Sequence, residues 1–152
     1  MSYYRHSRII MNLWYTSDQI FTASEKDYAD AIIDYIDPSH YITHRIYRNS
    51  CIERDGFGIK DLRILNRKLS NCVIVDNMAI SFKEQLDNGI YVKTFCGDLA
   101  DNSLLEIQQF LMEIKDCADI REPLKETYFM SELYQEYKEK SLHSKLYSST
   151  LM

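Results

Sequence analysis

Residues 19 to 38, QIFTASEKDYADAIIDYIDP, change their period midway. QIFT is a short apolar run of strand type that ends in the hydroxyl of Thr22. Ser24 then opens an S-x-x-D pattern with Asp27, a helix start in which the hydroxyl accepts a bond from an otherwise unpaired backbone amide. Tyr28, Ile32, Tyr35 and Ile36 recur at helical spacing and predict one buried face, and Pro38 closes the segment because its ring excludes a further turn. The reading is strand, tight turn, helix.

The same alternation continues outward. Cys72 to Val75 within NCVIVDN is an unbroken apolar run, suited to a parallel strand covered on both faces, and it ends in Asp76 and Asn77. GIYVKTF at 89 to 95 predicts another strand. Asp101 and Asn102 lead into Ser103-x-x-Glu106, a second capping pattern, with Leu104, Ile107, Leu111 and Ile114 as the buried stripe of the following helix. From Leu124 to about Leu146 charged and aromatic residues alternate as in an amphipathic tail helix. Between Tyr41 and Lys60 lie the β-type stretches YITHRIYR, SCIER and GFGIKDL, with Asp55-Gly56 as a hairpin signal; they predict a small antiparallel insert. Strands and helices in this order imply right-handed crossovers and an α/β fold with a doubly wound, Rossmann-like parallel sheet. Ligands of such sheets bind beyond the carboxyl ends of the strands. Thr22 and Ser24 would then share an edge with Asp76 and Asn77.

Composition narrows the function classes. The 152 residues suit one compact domain, and 45% hydrophobic with 12% aromatic content is globular in type. A net charge of −5 leaves no broad cationic surface for a nucleic acid. Cys51, Cys72, Cys96 and Cys117 are widely spaced and form no C-x-x-C pair, which predicts reduced thiols and an intracellular protein, nuclear or cytoplasmic. SYYRHSR after Met1 has no apolar core of a signal peptide, and no run approaches the length of a membrane span. His40 and His44 are four apart, a spacing suited to zinc on a helix, but Pro38 and the β-branched neighbours oppose a helix there. No repeat or Pro/Gly/Ser linker divides the chain.

Three groups near the strand ends carry chemistry. Asp76 with Asn77 offers hard oxygen ligands of the kind magnesium takes. Thr22 offers a hydroxyl beside the free amides of a starting helix, an anion site, and Lys60 offers a point positive charge for a phosphoryl group. Taken singly each has a plainer reading: aspartate at a strand end forms turns, threonine favours strands, and a lone lysine is usually solvated. Their combination is what informs. From Ile20 to about Tyr128 the chain resembles the catalytic domain of the small CTD phosphatases, the NLI-interacting-factor family of the haloacid dehalogenase superfamily. The matching stretches are FTASEKDYAD at 21 to 30, HRIYRNSC at 44 to 51, IKDLRILNRKLSNCVIVDN at 59 to 77, NGIYVKTFCGDLADNSLLEIQQFL at 88 to 111 and ADIREPL at 118 to 124.

The resemblance implies a Rossmann-like core with a small β insert. It implies that Thr22 holds the transferring phosphoryl group through its hydroxyl, that Lys60 offsets its charge, that Asp76 binds magnesium with Asn77 beside it, and that Tyr28 and Arg48 contact a phosphopeptide. Substrates of the family are phosphoserine or phosphothreonine proteins, including the tail of RNA polymerase II. Its reaction belongs to a first motif, D-x-D-x-T or D-x-D-x-V, whose first aspartate attacks phosphorus and whose second serves as general acid and base. No D-x-D occurs here: Asp27 and Asp30, Asp34 and Asp37, Asp98 and Asp101, and Asp116 and Asp119 are all spaced by three. Residues 1–19 do not resemble the motif's strand, the central one of the sheet, which Ser7 to Trp14 would replace only in part. The expected organisation is a non-matching segment at 1–19, the phosphatase-like domain at 20–128 with its insert at about 41–60, and a terminal helix at 129–152. Two readings follow: a protein phosphatase domain inactive as it stands, its sequence an incomplete copy of a longer enzyme, or a non-catalytic module that binds phosphorylated peptides.

Overall fold

The computed structural model describes residues 19–149. Strand β1, Gln19–Phe21, is followed by helix α1, Lys26–Ile36, and strand β2, His44–Ile46. β1 and β2 pair in parallel with Ile20 opposite Arg45, so this first unit is a β-α-β crossover. A hairpin of β3, Ile52–Arg54, and β4, Phe57–Ile59, comes next, turning at Asp55 and Gly56 with φ of 54° and 79°. Positive φ at both central residues suits the right-handed twist of the flanking strands, and Asp-Gly accepts it at little cost. After short 3₁₀ turns, β5, Ile74–Asp76, pairs in parallel with β6, Gly89–Tyr91. Helices α2, Ser103–Ile114, α3, Arg121–Tyr128, and α4, Met130–Ser149, complete the chain.

The architecture is mixed α/β, as expected, but the described strands form three separate two-stranded pairs rather than one doubly wound sheet. No described strand bridges β1 and β5. The antiparallel part is narrower than the predicted insert, because β2 belongs to the parallel unit and only residues 52–59 form the hairpin. The tail is two helices instead of one: Phe129 adopts φ 49°, a left-handed conformation that ends α3, and no Gly or Pro announces it. Ser7 to Trp14, considered above as a substitute strand, lies outside the described residues.

Three apolar clusters hold the pieces. Ala29 and Ile33 of α1 pack with Ile42, Ile20 and Tyr47. The buried face of α1 is thus offset from the predicted one, with Tyr28, Ile32 and Tyr35 exposed. Small Ala29 lets the helix approach the strands closely, while the tyrosines keep their hydroxyl ends in water. Arg45 of β2 fixes α1 electrostatically, donating to Asp30 at 3.0 Å and Asp34 at 2.7 Å, and the Tyr47 hydroxyl donates to Asp30 at 2.7 Å. With the Lys26 ammonium also bonded to it, Asp30 is held well below the usual carboxylate range. The predicted Ser24 cap is not formed: Glu25 is the N-cap, and the Thr22 hydroxyl accepts the Ser24 amide at 3.1 Å instead. At the far end Asp37 is buried and accepts the amides of Tyr41 at 3.0 Å and Ile42 at 2.8 Å. The exit turn is thereby satisfied without further helix.

β5 and β6 are covered on both sides. Leu62, Cys72, Ile74, Phe82 and Met130 form one cluster; Ile90 with Ile107, Ile114 and Leu124 forms the other, the α2 stripe behaving as its spacing predicts. Val75 departs from the expected full burial, being 38% exposed. Gly89 is required by close approach, since a Cβ there would lie 2.0 Å from Phe82 Cε2. Gly89→Ala is expected to cost about 2 kcal/mol through overpacking, and Gly89→Ala combined with Phe82→Leu to recover part of that loss, both read from urea unfolding.

Candidate functional site

The hairpin delivers Lys60 to the end of β5. Lys60 follows β4 directly, and its backbone amide donates to the Ser81 carbonyl at 2.6 Å. The next residue, Asp61, is buried and pinned by Gln85 Nε2 at 3.1 Å, while Gln85 Oε1 accepts the Leu62 amide at 2.9 Å. The Arg63 guanidinium beside Asp61 holds its carboxyl below the ordinary value. Between these two anchors the Lys60 side chain has one course, and its ammonium bonds Asp76 Oδ2. The Lys60 and Asp76 side chains are 12% and 6% exposed. Asp76 Oδ1 accepts the Met78 amide at 2.8 Å, so both carboxylate oxygens are engaged. A charge pair this withdrawn from water must be matched and hydrogen-bonded to persist at all.

Thr22 approaches from the other parallel pair. Its amide donates to the Ile46 carbonyl at 2.9 Å, continuing the β1–β2 ladder, and its hydroxyl oxygen accepts the Ser24 amide. The hydroxyl proton therefore stays available for an acceptor. Cys51, just before β3, donates its thiol to the Thr22 carbonyl at 3.9 Å. Burial pushes the Cys51 thiol up, the positive charges of Lys60 and Arg48 pull it down, and Asp76 pushes it up again. One thiol thus touches the Thr22 backbone, and the charges of Lys60, Arg48 and Asp76 all act on it. Arg48 itself stands on a turn whose amide donates to the Ser24 carbonyl at 3.1 Å, with only a long 3.9 Å ion pair to exposed Glu25.

Two further candidates lie less centrally. Asn77 is exposed and donates to the Thr94 hydroxyl at 2.9 Å, linking the loops that follow β5 and β6. Tyr28 is exposed in the first turn of α1. Cys51, Gly58 and the Ser81 carbonyl are site components that sequence reading missed. Cys51 and Gly58 were present only as residues within β-type stretches, and no local signal marks a carbonyl that anchors a distant lysine.

The arrangement supplies a hydroxyl, a guanidinium and an ammonium, groups of the kind that bind anions, and the ammonium is held by the Asp76 carboxylate. It does not form a magnesium shell. Asp76 contributes one carboxylate with both oxygens engaged, and no group of three or more His, Cys, Asp or Glu gathers among the described residues. His40 and His44 gather no such group either; His40 occupies a turn of φ 53° and His44 begins β2.

The family model described as NLI interacting factor-like phosphatase matches residues 13–121. CTD small phosphatase-like protein 2 of Dictyostelium discoideum is 40% identical over 116 residues, covering 76% of this chain and 20% of its own. CTD small phosphatase-like protein 3 of Caenorhabditis elegans is 42% identical over 111 residues, covering 72% and 39%. Nuclear envelope morphology protein 1 of Saccharomyces cerevisiae is 34% identical over 139 residues, covering 78% and 31%. The chain therefore spans between a fifth and two fifths of these relatives.

The ion pair makes a stability prediction independent of any ligand. Lys60→Met, which strands a buried carboxylate, is expected to cost about 3 kcal/mol. Asp76→Asn in the same chain keeps the bond from the Met78 amide and removes the orphan charge, so the double variant should recover most of the loss in chemical denaturation.

Proposed function

The chain belongs to the NLI interacting factor-like phosphatase family, and from that premise we propose that its described residues form the phosphoryl-binding half of a serine/threonine phosphatase site, which binds phosphorylated protein segments without hydrolysing them unaided. Thr22 donates its hydroxyl to a phosphoryl oxygen. Lys60 transfers part of its interaction from Asp76 to the bound anion. Arg48 meets the phosphoryl group or the peptide beside it, and Tyr28 and Asn77 line the approach. Supporting this reading above all is the Cys51 thiol, in contact with Thr22 and within the fields of Lys60, Arg48 and Asp76.

Turnover by these residues alone lacks a nucleophile. Asp76 is the carboxylate at the centre, and both of its oxygens are engaged, one by the Lys60 ammonium and one by the Met78 amide, so attack on phosphorus from it would first have to break these bonds. No D-x-D pair occurs in the 152 residues. Magnesium bound through Asp76 and water would be weakly held and would first have to displace the lysine. An acid and a nucleophile delivered from outside the described residues would convert the same cradle into a hydrolase. Deleting a nucleophile in a well-studied protease lowers turnover on the order of 10⁶-fold, which sets the scale of what is missing.

The partner class is a phosphoserine or phosphothreonine protein. An intracellular setting, nuclear or cytoplasmic, is supported by four cysteines that are free and by a relative named for nuclear-envelope morphology. None of the described helices is long and apolar enough to cross a membrane.

Calorimetry with a phosphoserine peptide should give binding that Lys60→Ala and Arg48→Ala weaken, and a generic phosphate ester with magnesium should show no turnover above background. Absence of heat with every phosphopeptide would remove the binding proposal. An aspartyl-phosphate trapped on this polypeptide after mixing with substrate would overturn the inactivity.

A further inference from the structure

The hairpin that carries Lys60 is not tied to the Thr22 loop by the β ladder; it rests on it through a narrow seam. A Cβ on Gly58 would lie 3.2 Å from Ala23 Cβ, 3.4 Å from Cys51 Cβ and 3.5 Å from Cys51 Sγ. Ala23 follows Thr22, Gly58 of β4 precedes Lys60 by two residues, and the Cys51 thiol bonds the Thr22 carbonyl across the seam at 3.9 Å. A Cβ at 3.2 Å from Ala23 Cβ would be tighter than ordinary side-chain contact, so the bare backbone of Gly58 is what lets the two elements meet this closely. We propose that Ala23, Cys51 and Gly58 form a positioning joint, which fixes the separation of the Thr22 hydroxyl from the Lys60 ammonium and so sets the size of anion accepted between them. This rests on the phosphoryl-binding reading above and adds the element that sets its dimensions.

The joint makes two physical demands. A methyl group added at Gly58 lifts the hairpin by a few tenths of an ångström and opens the cradle, while the fold, held by clusters elsewhere, persists. Moving the methyl across the seam, with Ala23→Gly and Gly58→Ala together, keeps its volume and restores the approach. An anion seated between Thr22 and Lys60 would lie beside the Cys51 thiol, which contacts the Thr22 carbonyl at 3.9 Å.

The test uses the whole chain with inorganic phosphate. Three readings are taken: affinity by calorimetry, thermal midpoint, and the alkylation rate of each cysteine by iodoacetamide, mapped by mass spectrometry. Phosphate should slow alkylation of Cys51 severalfold and leave the exposed Cys96 and Cys117 unchanged. Gly58→Ala should weaken phosphate binding severalfold with little change in midpoint, and the Ala23→Gly/Gly58→Ala pair should regain most of it. Phosphate binding by the native chain without protection of Cys51, or with Gly58→Ala binding equally well, overturns the joint alone. Failure of the native chain to bind phosphate overturns the phosphoryl reading and the joint with it. The protection measurement needs no variant, so it decides even if Gly58→Ala does not fold.

Discussion

The structure turns on the pairing of Lys60 with Asp76, two opposite charges withdrawn from water where two different sheets meet. Neither group could sit there alone, because stranding either charge costs several kcal/mol. Their presence constrains everything around them. The Ser81 carbonyl and the Asp61–Gln85 pair fix the backbone on either side of Lys60, and the Met78 amide fixes Asp76. As a source of stability such a pair is poor, since an apolar pair of similar volume does as well or better. In the proposed function its value lies in presenting a positive charge that a bound anion would take over.

The rest of the fold serves that delivery from two directions. The β1–α1–β2 unit brings Thr22, with Arg45, Asp30 and Tyr47 locking helix to strands. The β5–β6 pair brings Asp76, wedged between the Phe82 cluster and the α2 and α3 faces. Between them the hairpin acts as a strut, its tip turned by Asp55 and Gly56 and its stem seated against Ala23 and Cys51. The groups proposed for the site are thus carried by units that share no ladder among the described residues.

Legibility in the sequence followed the range of the interaction. Asp55-Gly56 announced its turn because turn chemistry is local, and Ile107 with Ile114 announced the buried side of α2 because the period is local too. The face of α1 was misread: Tyr28, Ile32 and Tyr35 have the right spacing, yet the strands are reached by Ala29 and Ile33, and spacing alone cannot rank two faces. The break at Phe129 carries no residue signal: a left-handed residue that is neither Gly nor Asn precedes Met130, which joins the cluster of Leu62, Cys72, Ile74 and Phe82. A continuous sheet was inferred from element order, which does not reveal whether separate parallel pairs adjoin. Within the site, Lys60, Asp76 and Thr22 were visible as residue types and gained meaning from resemblance to a family. Cys51 and Gly58 were invisible because their importance is a contact with a loop some thirty residues away.

The chemistry we propose for the site is electrostatic capture. An anion entering between Thr22 and Lys60 would gain an ammonium, a hydroxyl and the Arg48 guanidinium, against the loss of part of the Asp76 contact. The most direct measurement is a crystal soaked in tungstate, a phosphate mimic located by its anomalous scattering. The account predicts a peak within bonding reach of Thr22 Oγ1 and Lys60 Nζ, weakened in Lys60→Ala crystals. A map with no peak there, or with tungstate bound only elsewhere on the chain, would contradict it.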